Sequence, residues 1–155
     1  MAQPPAQTYG TEQPLTGIGA KFKRFNTTNG HWELIGEITQ IKGPTMKLKT
    51  IDVTTLGSLG GYNQFIAGLR DPGTITLNLN FARSSFALMK ADFESGLIQS
   101  YLILLPDANQ TTLIFNGFVE ELPLTVPIDK QITVDVSIKI SGQVQLETGS
   151  DSMLY

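Results

Sequence analysis

Over 131–140, Ile132, Val134, Val136, Ile138 and Ile140 fall on one side of an extended chain, and Gln131, Thr133, Asp135, Ser137 and Lys139 fall on the other. The same period of two runs through 74–81, where Ile75, Leu77, Leu79 and Phe81 oppose Thr74, Thr76, Asn78 and Asn80. Successive side chains of a strand point to opposite faces, so each segment predicts a strand with one face on a core. Weaker alternation predicts further strands at 20–25, 32–41, 45–53, 100–105 and 111–119. Turn formers bound them at Lys42-Gly43-Pro44, Asp71-Pro72-Gly73 and Pro106-Asp107-Ala108-Asn109. Alternation with short turns points to antiparallel pairing, and hence to a mostly β fold, an antiparallel β-sandwich or barrel.

Two segments break the period. In 84–95, Phe86, Met89 and Phe93 recur at helical spacing between an N-cap candidate, Ser84 or Ser85, and Gly96. This predicts one flanking α-helix. About three turns of helix are unstable alone, so Phe86, Met89 and Phe93 are expected to pack on the sandwich and cover an open end. The other exception is 54–71, TTLGSLGGYNQFIAGLRD, which is expected to form a long irregular loop. Loops beyond about 12 to 15 residues are uncommon in compact domains unless they serve a function. Leu56, Leu59, Tyr62, Phe65, Ile66 and Leu69 call for cover, and a partner surface is expected to supply it.

A chain of 155 residues fits one domain. We read a flexible arm over 1–16, the β-sandwich domain over 17–147 and a short C-terminal tail over 148–155. No apolar run approaches the roughly 18 residues that would span a bilayer. The start, MAQPPAQTYGTEQPLT, has neither a basic opening nor an apolar core, so it is not expected to be a signal peptide, and cytoplasmic synthesis is expected. The absence of cysteine agrees and leaves no thiolate chemistry. A net charge of −3 argues against gripping nucleic acid through clustered cations, while permitting a surface that DNA passes without sticking.

Catalytic chemistry is not legible. His31 is the only histidine and sits in the turn Asn29-Gly30-His31-Trp32 with no serine or acid at an informative spacing. A histidine metal site is therefore out of reach, and no cofactor is expected. The run Gly57-Ser58-Leu59-Gly60-Gly61 lacks the Gly-Lys-Ser/Thr of a phosphate-cradling loop. Glu120-Glu121 reads as a solvated pair. A monomeric sandwich that binds sugars through Trp32, Tyr62 or Tyr101 is an alternative, and an enzyme on a jelly-roll scaffold is a weaker one.

In order, 35–145 resembles the siphophage tail tube family. The resemblance is carried by IGEITQIKGPTMKLKTIDVTT, FIAGLRDPGTITLNLNF, the helix SSFALMKADFESG, YLILLPDANQTTLIFNGFVEELP and ITVDVSIKISGQVQL. Its most specific pieces are Ile51-Asp52-Val53-Thr54, Gly68-Leu69-Arg70-Asp71-Pro72-Gly73 and Phe115-Asn116-Gly117-Phe118-Val119. Contractile-tail tubes and the secreted ring protein of type VI secretion are similar in fold, so a tube of a contractile system is a second branch. The resemblance implies a non-enzymatic virion protein whose six-subunit rings stack helically into a conduit for viral DNA. It implies about 24 strands in an inner barrel, and strands about 4.8 Å apart at about 40° tilt give a bore of roughly 40 Å, wide enough for a hydrated duplex.

The resemblance also places on the lumen the hairpin flanking the long loop, here 45–53 and 74–81, together with 131–140. Lys47, Lys49, Thr74, Thr76, Asn78, Asn80, Asp135 and Lys139 would then face the bore, with Lys47 and Lys49 set against a simple acidic wall. Leu56, Gly57, Leu59, Gly60, Gly61, Tyr62 and Phe65 are expected to stack ring on ring. The implied partners are other copies of the chain, a tape-measure protein in the lumen, tail terminator and distal tail proteins, and transiently passing double-stranded DNA. Assembly is expected in the host cytoplasm without membrane insertion. With a short tail after Leu146, no added immunoglobulin-like domain is expected.

Overall fold

A computed structural model describes residues 15–149. Its elements are β1 (Lys21–Asn26), β2 (His31–Ile35), β3 (Ile38–Lys42), β4 (Lys47–Asp52), β5 (Phe65–Asp71), β6 (Thr74–Asn80), α1 (Arg83–Ser95), β7 (Gln99–Leu104), β8 (Thr111–Glu121), β9 (Leu124–Thr125), β10 (Thr133–Ile140) and β11 (Gln145–Thr148). The expected arm lies almost wholly outside the described residues. So does most of the expected tail, although Thr148 belongs to β11.

The main sheet is antiparallel and runs β2-β1-β7-β8-β10-β6-β3, with β11 on β8 and β9 on β10. β8 joins its two halves. It pairs with β7 from Thr112 to Gly117, and with β10 from Gly117 onward. A Cβ at Gly117 would collide with the Lys139 carbonyl, so only glycine allows this close approach of strands. The curled sheet encloses Phe22, Ile35, Ile75, Leu77, Leu79, Met89, Tyr101, Ile103, Phe115, Val134, Val136 and Ile138. Each such side chain contributes about 1.5–3 kcal/mol by leaving water. Phe22, Tyr101 and Phe115 cluster at its centre, with Tyr101 stacked on both phenylalanines at centroid distances of 5.5 and 5.7 Å and the two phenylalanines 6.4 Å apart.

β6 and β10 follow the sequence pattern and bury alternate residues. Other expectations need correction. The strand expected over 32–41 is two strands, broken at Gly36 and Glu37, where Glu37 takes a φ of 62°. Ile35 and Ile38 both face the core although they are three positions apart, an odd step that a continuous strand cannot bring to one face. The irregular stretch 54–71 is shorter than expected, because Phe65–Asp71 is strand β5. Phe81 and Ile132 lie just beyond their strands and stay 42% and 39% exposed rather than buried.

The helix starts at Arg83 with Ala82 as its cap residue, not Ser84 or Ser85, and no side chain caps it. Gly96 ends it at φ 62°, as expected. Its buried residues are Ser85, Met89 and Asp92. Phe86 packs against the core edge and against Phe81, but Phe93 stands 46% exposed, so the expected Phe86-Met89-Phe93 stripe is rotated toward Asp92. The cause is an ion pair. Asp92 receives hydrogen bonds from Arg24 Nε and Nη2, both at 2.6 Å, and from Tyr101 Oη at 3.0 Å.

Candidate functional site

Two surfaces stand out from residues that simply cover the core. The first is the outer face of β3, β6 and β10. The register sets Asn80 beside Thr133, Asn78 beside Asp135, Thr76 beside Ser137 and Thr74 beside Lys139. On the other side of β6, Gln40 lies beside Asn78 and Lys42 beside Thr76, and Asn78 Nδ2 donates to Gln40 Oε1 at 3.0 Å. The apolar residues between them are buried, so the polar ones are held half-exposed on a rigid wall. Hydroxyls, amides, one carboxylate and two ammonium groups make this wall hydrated and weakly charged.

The second surface is the ribbon β4–β5, a separate two-stranded sheet. It prolongs the β3–β6 pair. The two segments stay side by side through Gly43-Pro44 and Pro72-Gly73, where Thr45 N donates to the Thr74 carbonyl and Thr74 N donates to Thr45 Oγ1. Gly43 has φ 108° and Gly73 φ 80°, and a Cβ on either would run into Thr74 or Thr45 backbone. These two positions require glycine. In the ribbon, Lys47 opposes Asp71, Leu48 opposes Arg70, Ile51 opposes Ile66 and Asp52 opposes Phe65, with a register shift between Leu48 and Thr50. The sequence reading paired β4 with 74–81 around the loop, whereas the strand across the loop from β4 is β5. β6 belongs to the main sheet.

Every residue of β4 is exposed, and so are all of β5 except Gly68 and Asp71. Leu69 is 82% exposed, Tyr62 78%, and Leu56 wholly so. Residues 53–64 between the strands hold a short turn at Leu59–Gly61, with Gly60 at φ 71°. The loop is closed at its neck, where Val53 N donates to the Gln64 carbonyl and Gln64 N to Thr54 Oγ1. Asp52 accepts from Thr54 N at 2.8 Å, and Thr54 holds its carboxyl below the ordinary value.

At the ribbon's base, Asp71 ties the two surfaces together. Its Oδ1 accepts from Gly73 N at 2.9 Å and lies 3.5 Å from Lys139 Nζ on the polar wall. The Gly73 amide first, then the Lys139 and Lys47 charges, hold the Asp71 carboxyl below the ordinary range. Lys139 and Lys47, both singled out from sequence, thus converge on one carboxylate, with Lys47 opposite Asp71 in the ribbon and Lys139 on β10. Lys49 lies farther out along the ribbon.

The aromatic residues weighed as a sugar platform are separated. Tyr101 is fully buried, Trp32 packs edge-on against Phe25 at 5.2 Å, and only Tyr62 is well exposed. A groove of about 710 Å³ between β3 and the β1–β7 side is lined by residues such as Ile38, Ile41, Ile103, Leu105 and Leu113, and no charged or aromatic side chain lines it. His31 is exposed at the start of β2. Among the described residues no group of three His, Cys, Asp or Glu side chains is placed to hold a metal ion. The sequence reading missed the Arg24–Asp92–Tyr101 cluster, whose only linear trace is the helical spacing of Ser85, Met89 and Asp92.

Residues 16–147 match the model of the lambda phage tail tube protein family. Among solved structures, the chain superposes on a subunit of the tail of an empty gene transfer agent particle with C6 symmetry, with a TM-score of 0.72 and 18% identity, covering 86% of this chain and 99% of that one. The SPP1 tail tube gives a TM-score of 0.68 at 10% identity, covering 90% of this chain and 83% of that one. The sheath/tube terminator structure of an extracellular contractile injection system gives 0.66 at 14%, covering 88% and 99%. No curated protein matches the chain in a sequence search. With the family match running from before β1 into β11 and the fold shared with tail tubes, the chain belongs to the lambda phage tail tube protein family and is a structural subunit of a phage tail tube.

Proposed function

We propose that six copies of this chain form a ring, that rings stack helically, and that the half-exposed polar wall of β3, β6 and β10 lines a bore through which double-stranded DNA passes. The observation that carries the reading is the ribbon. An isolated two-stranded hairpin is marginal in water, yet this one exposes Leu48, Ile51, Phe65, Ile66 and Leu69. Such a ribbon is explained by a partner that covers it, and in a polymer that partner is another subunit. The sixfold tail of the gene transfer agent particle supports the ring number.

In this reading Leu56, Gly57, Leu59, Gly60, Gly61, Tyr62 and Phe65 make the ring-to-ring contact. Thr74, Thr76, Asn78, Asn80, Asp135 and Lys139 hydrate the bore without a cluster of cations to hold phosphates. Lys47 sits where the ribbon leaves the wall, and Lys49 lies farther out along it. The assembly carries no catalysis of its own, forms in the host cytoplasm and stays out of membranes. A tape-measure protein fills the lumen before DNA does, and terminator and distal tail proteins cap the ends.

Negative-stain microscopy of the purified protein tests the reading. Tubes or rings of uniform diameter with a stain-filled centre are expected. Monomers alone at every concentration would overturn it. Deleting 58–62 is expected to leave folded chains that do not elongate, and normal tubes from that deletion would remove the stacking role of the loop.

A further inference from the structure

The two ends of β6 are chemically unlike. At its N-terminal end Thr74 leads into the ribbon. At its C-terminal end Phe81 N donates to the Ile132 carbonyl, and the connection between β8 and β10 lies alongside, with Leu124 paired to Val134 and Thr125 to Thr133. Seven residues of strand at about 3.3 Å each set these ends roughly 20 Å apart.

The connection 122–132 is itself poorly covered. Leu124 is 47% exposed, Val126 64% and Ile128 wholly exposed, and Phe81 and Ile132 adjoin them. This apolar strip has nothing over it among the described residues, and it lies at the opposite end of the body from the exposed ribbon. The charges are also opposite. Residues 42–71 carry Lys42, Lys47, Lys49 and Arg70 against Asp52 and Asp71. Residues 120–132 carry Glu120, Glu121 and Asp129 against Lys130. All of these except Asp71 are exposed.

We infer that the strip 122–132 is the receiver of the ribbon: the apolar β4–β5 arm of one chain, with Lys47, Lys49 and Arg70 at its rim, docks on the apolar β8–β10 connection of a second copy in the next ring, which Glu120 and Glu121 at the end of β8 flank. This rests on the ring-stacking reading and adds its other half. Both surfaces are apolar at the centre and bear opposite charges at the rim, the arrangement that sets orientation and partner choice in an interface. One patch is not its own complement, so the contact is head to tail and repeats without limit along an axis. Strand β5 of the ribbon matches β6 in length, so the arm reaches across a distance comparable to the body of the next subunit.

The chain has no cysteine, which makes a direct test available. Tubes assembled from full-length chains carrying both Leu56→Cys and Ile128→Cys are oxidised and run under denaturing, non-reducing conditions. Both positions are fully exposed, so the monomer tolerates them. A ladder of linked chains continuing past six is expected, with nothing beyond dimers when either substitution stands alone. The pair Tyr62→Cys and Val126→Cys provides the same readout if the first variant does not polymerise. Normal tubes without a ladder from either pair would overturn the receiver and leave ring stacking by the loop intact. Normal tubes from the 58–62 deletion would instead overturn the stacking reading, and this inference with it. As a second arm, Lys49→Glu with Arg70→Glu is expected to raise the concentration needed for tubes about tenfold, and Glu121→Lys with Asp129→Lys in the same chain to restore it. Failure of the second pair to rescue counts against the proposal.

Discussion

Asp92 of the helix and Arg24 of β1 form a two-pronged ion pair, Oδ2 to Nε and Oδ1 to Nη2, both at 2.6 Å, with Asp92 only 2% exposed. Arg24 Nη1 also lies 3.6 Å from Glu33 Oε2, and Glu33 Oε1 accepts from Asn26 Nδ2 at 2.6 Å. The hydrogen bonds to Asp92 raise the Arg24 pKa above its already high value. A single guanidinium therefore fastens the helix to the β1–β2 half of the sheet.

Removing one partner leaves the other buried and unpaired. Asp92→Ala is expected to cost about 3 kcal/mol or more in urea unfolding of the monomer. Arg24→Met with Asp92→Leu in one chain should recover most of that loss, because neither charge is then stranded.

Tyr101 sets an alkaline limit. Burial first, then the Asp92 charge, raises its pKa far above the ordinary 10. Folding thus favours the protonated phenol. That stability is complete below pH 10 and is lost as pH rises past the unfolded value toward the folded one. Lys23, held below 10.5 mainly by burial, pulls the other way. Tyr101→Phe is expected to lose about 1 kcal/mol at neutral pH and to flatten the decline above pH 10, read as denaturation midpoint against pH.

Gly73→Ala would place a methyl against the Thr45 backbone at a φ of 80°. The expected cost is about 1–3 kcal/mol of local strain. Because the strain falls at the base of the ribbon, faster hydrogen exchange should be confined to the ribbon, while amides in β10 exchange as before.

Bore chemistry is tested by charge. Asn78→Lys with Asp135→Lys places two cations on adjacent positions of the polar wall. Tubes of normal diameter are expected, with DNA delivery falling about tenfold or more as phosphates find counterions along the wall. Unchanged delivery at low salt would argue that this face does not meet DNA.

How much of this was legible follows from which faces meet the core. β6 and β10 were plain because Leu77 and Val136 are buried while Thr76 and Asp135 are not. β5 was not, because Phe65 and Ile66 are adjacent and both exposed, and a ribbon without a core imposes no alternation. The break in 32–41 left a trace in the three-residue step from Ile35 to Ile38. The true buried face of the helix was hidden because Asp92 is satisfied by Arg24, 68 positions away, which no periodicity reveals.

The glycine-hinged ribbon gives the proposed tube a direction. A stack joined by ribbon and receiver always ends in ribbons at one mouth and in bare strips at the other. The two mouths would then differ in growth rate, and the proteins that close them would need unlike surfaces. A cap built for the ribbon mouth would offer an apolar strip flanked by acids, and one built for the opposite mouth would offer an apolar strand pair rimmed by cations. A single subunit shape would thus decide which way a tail points.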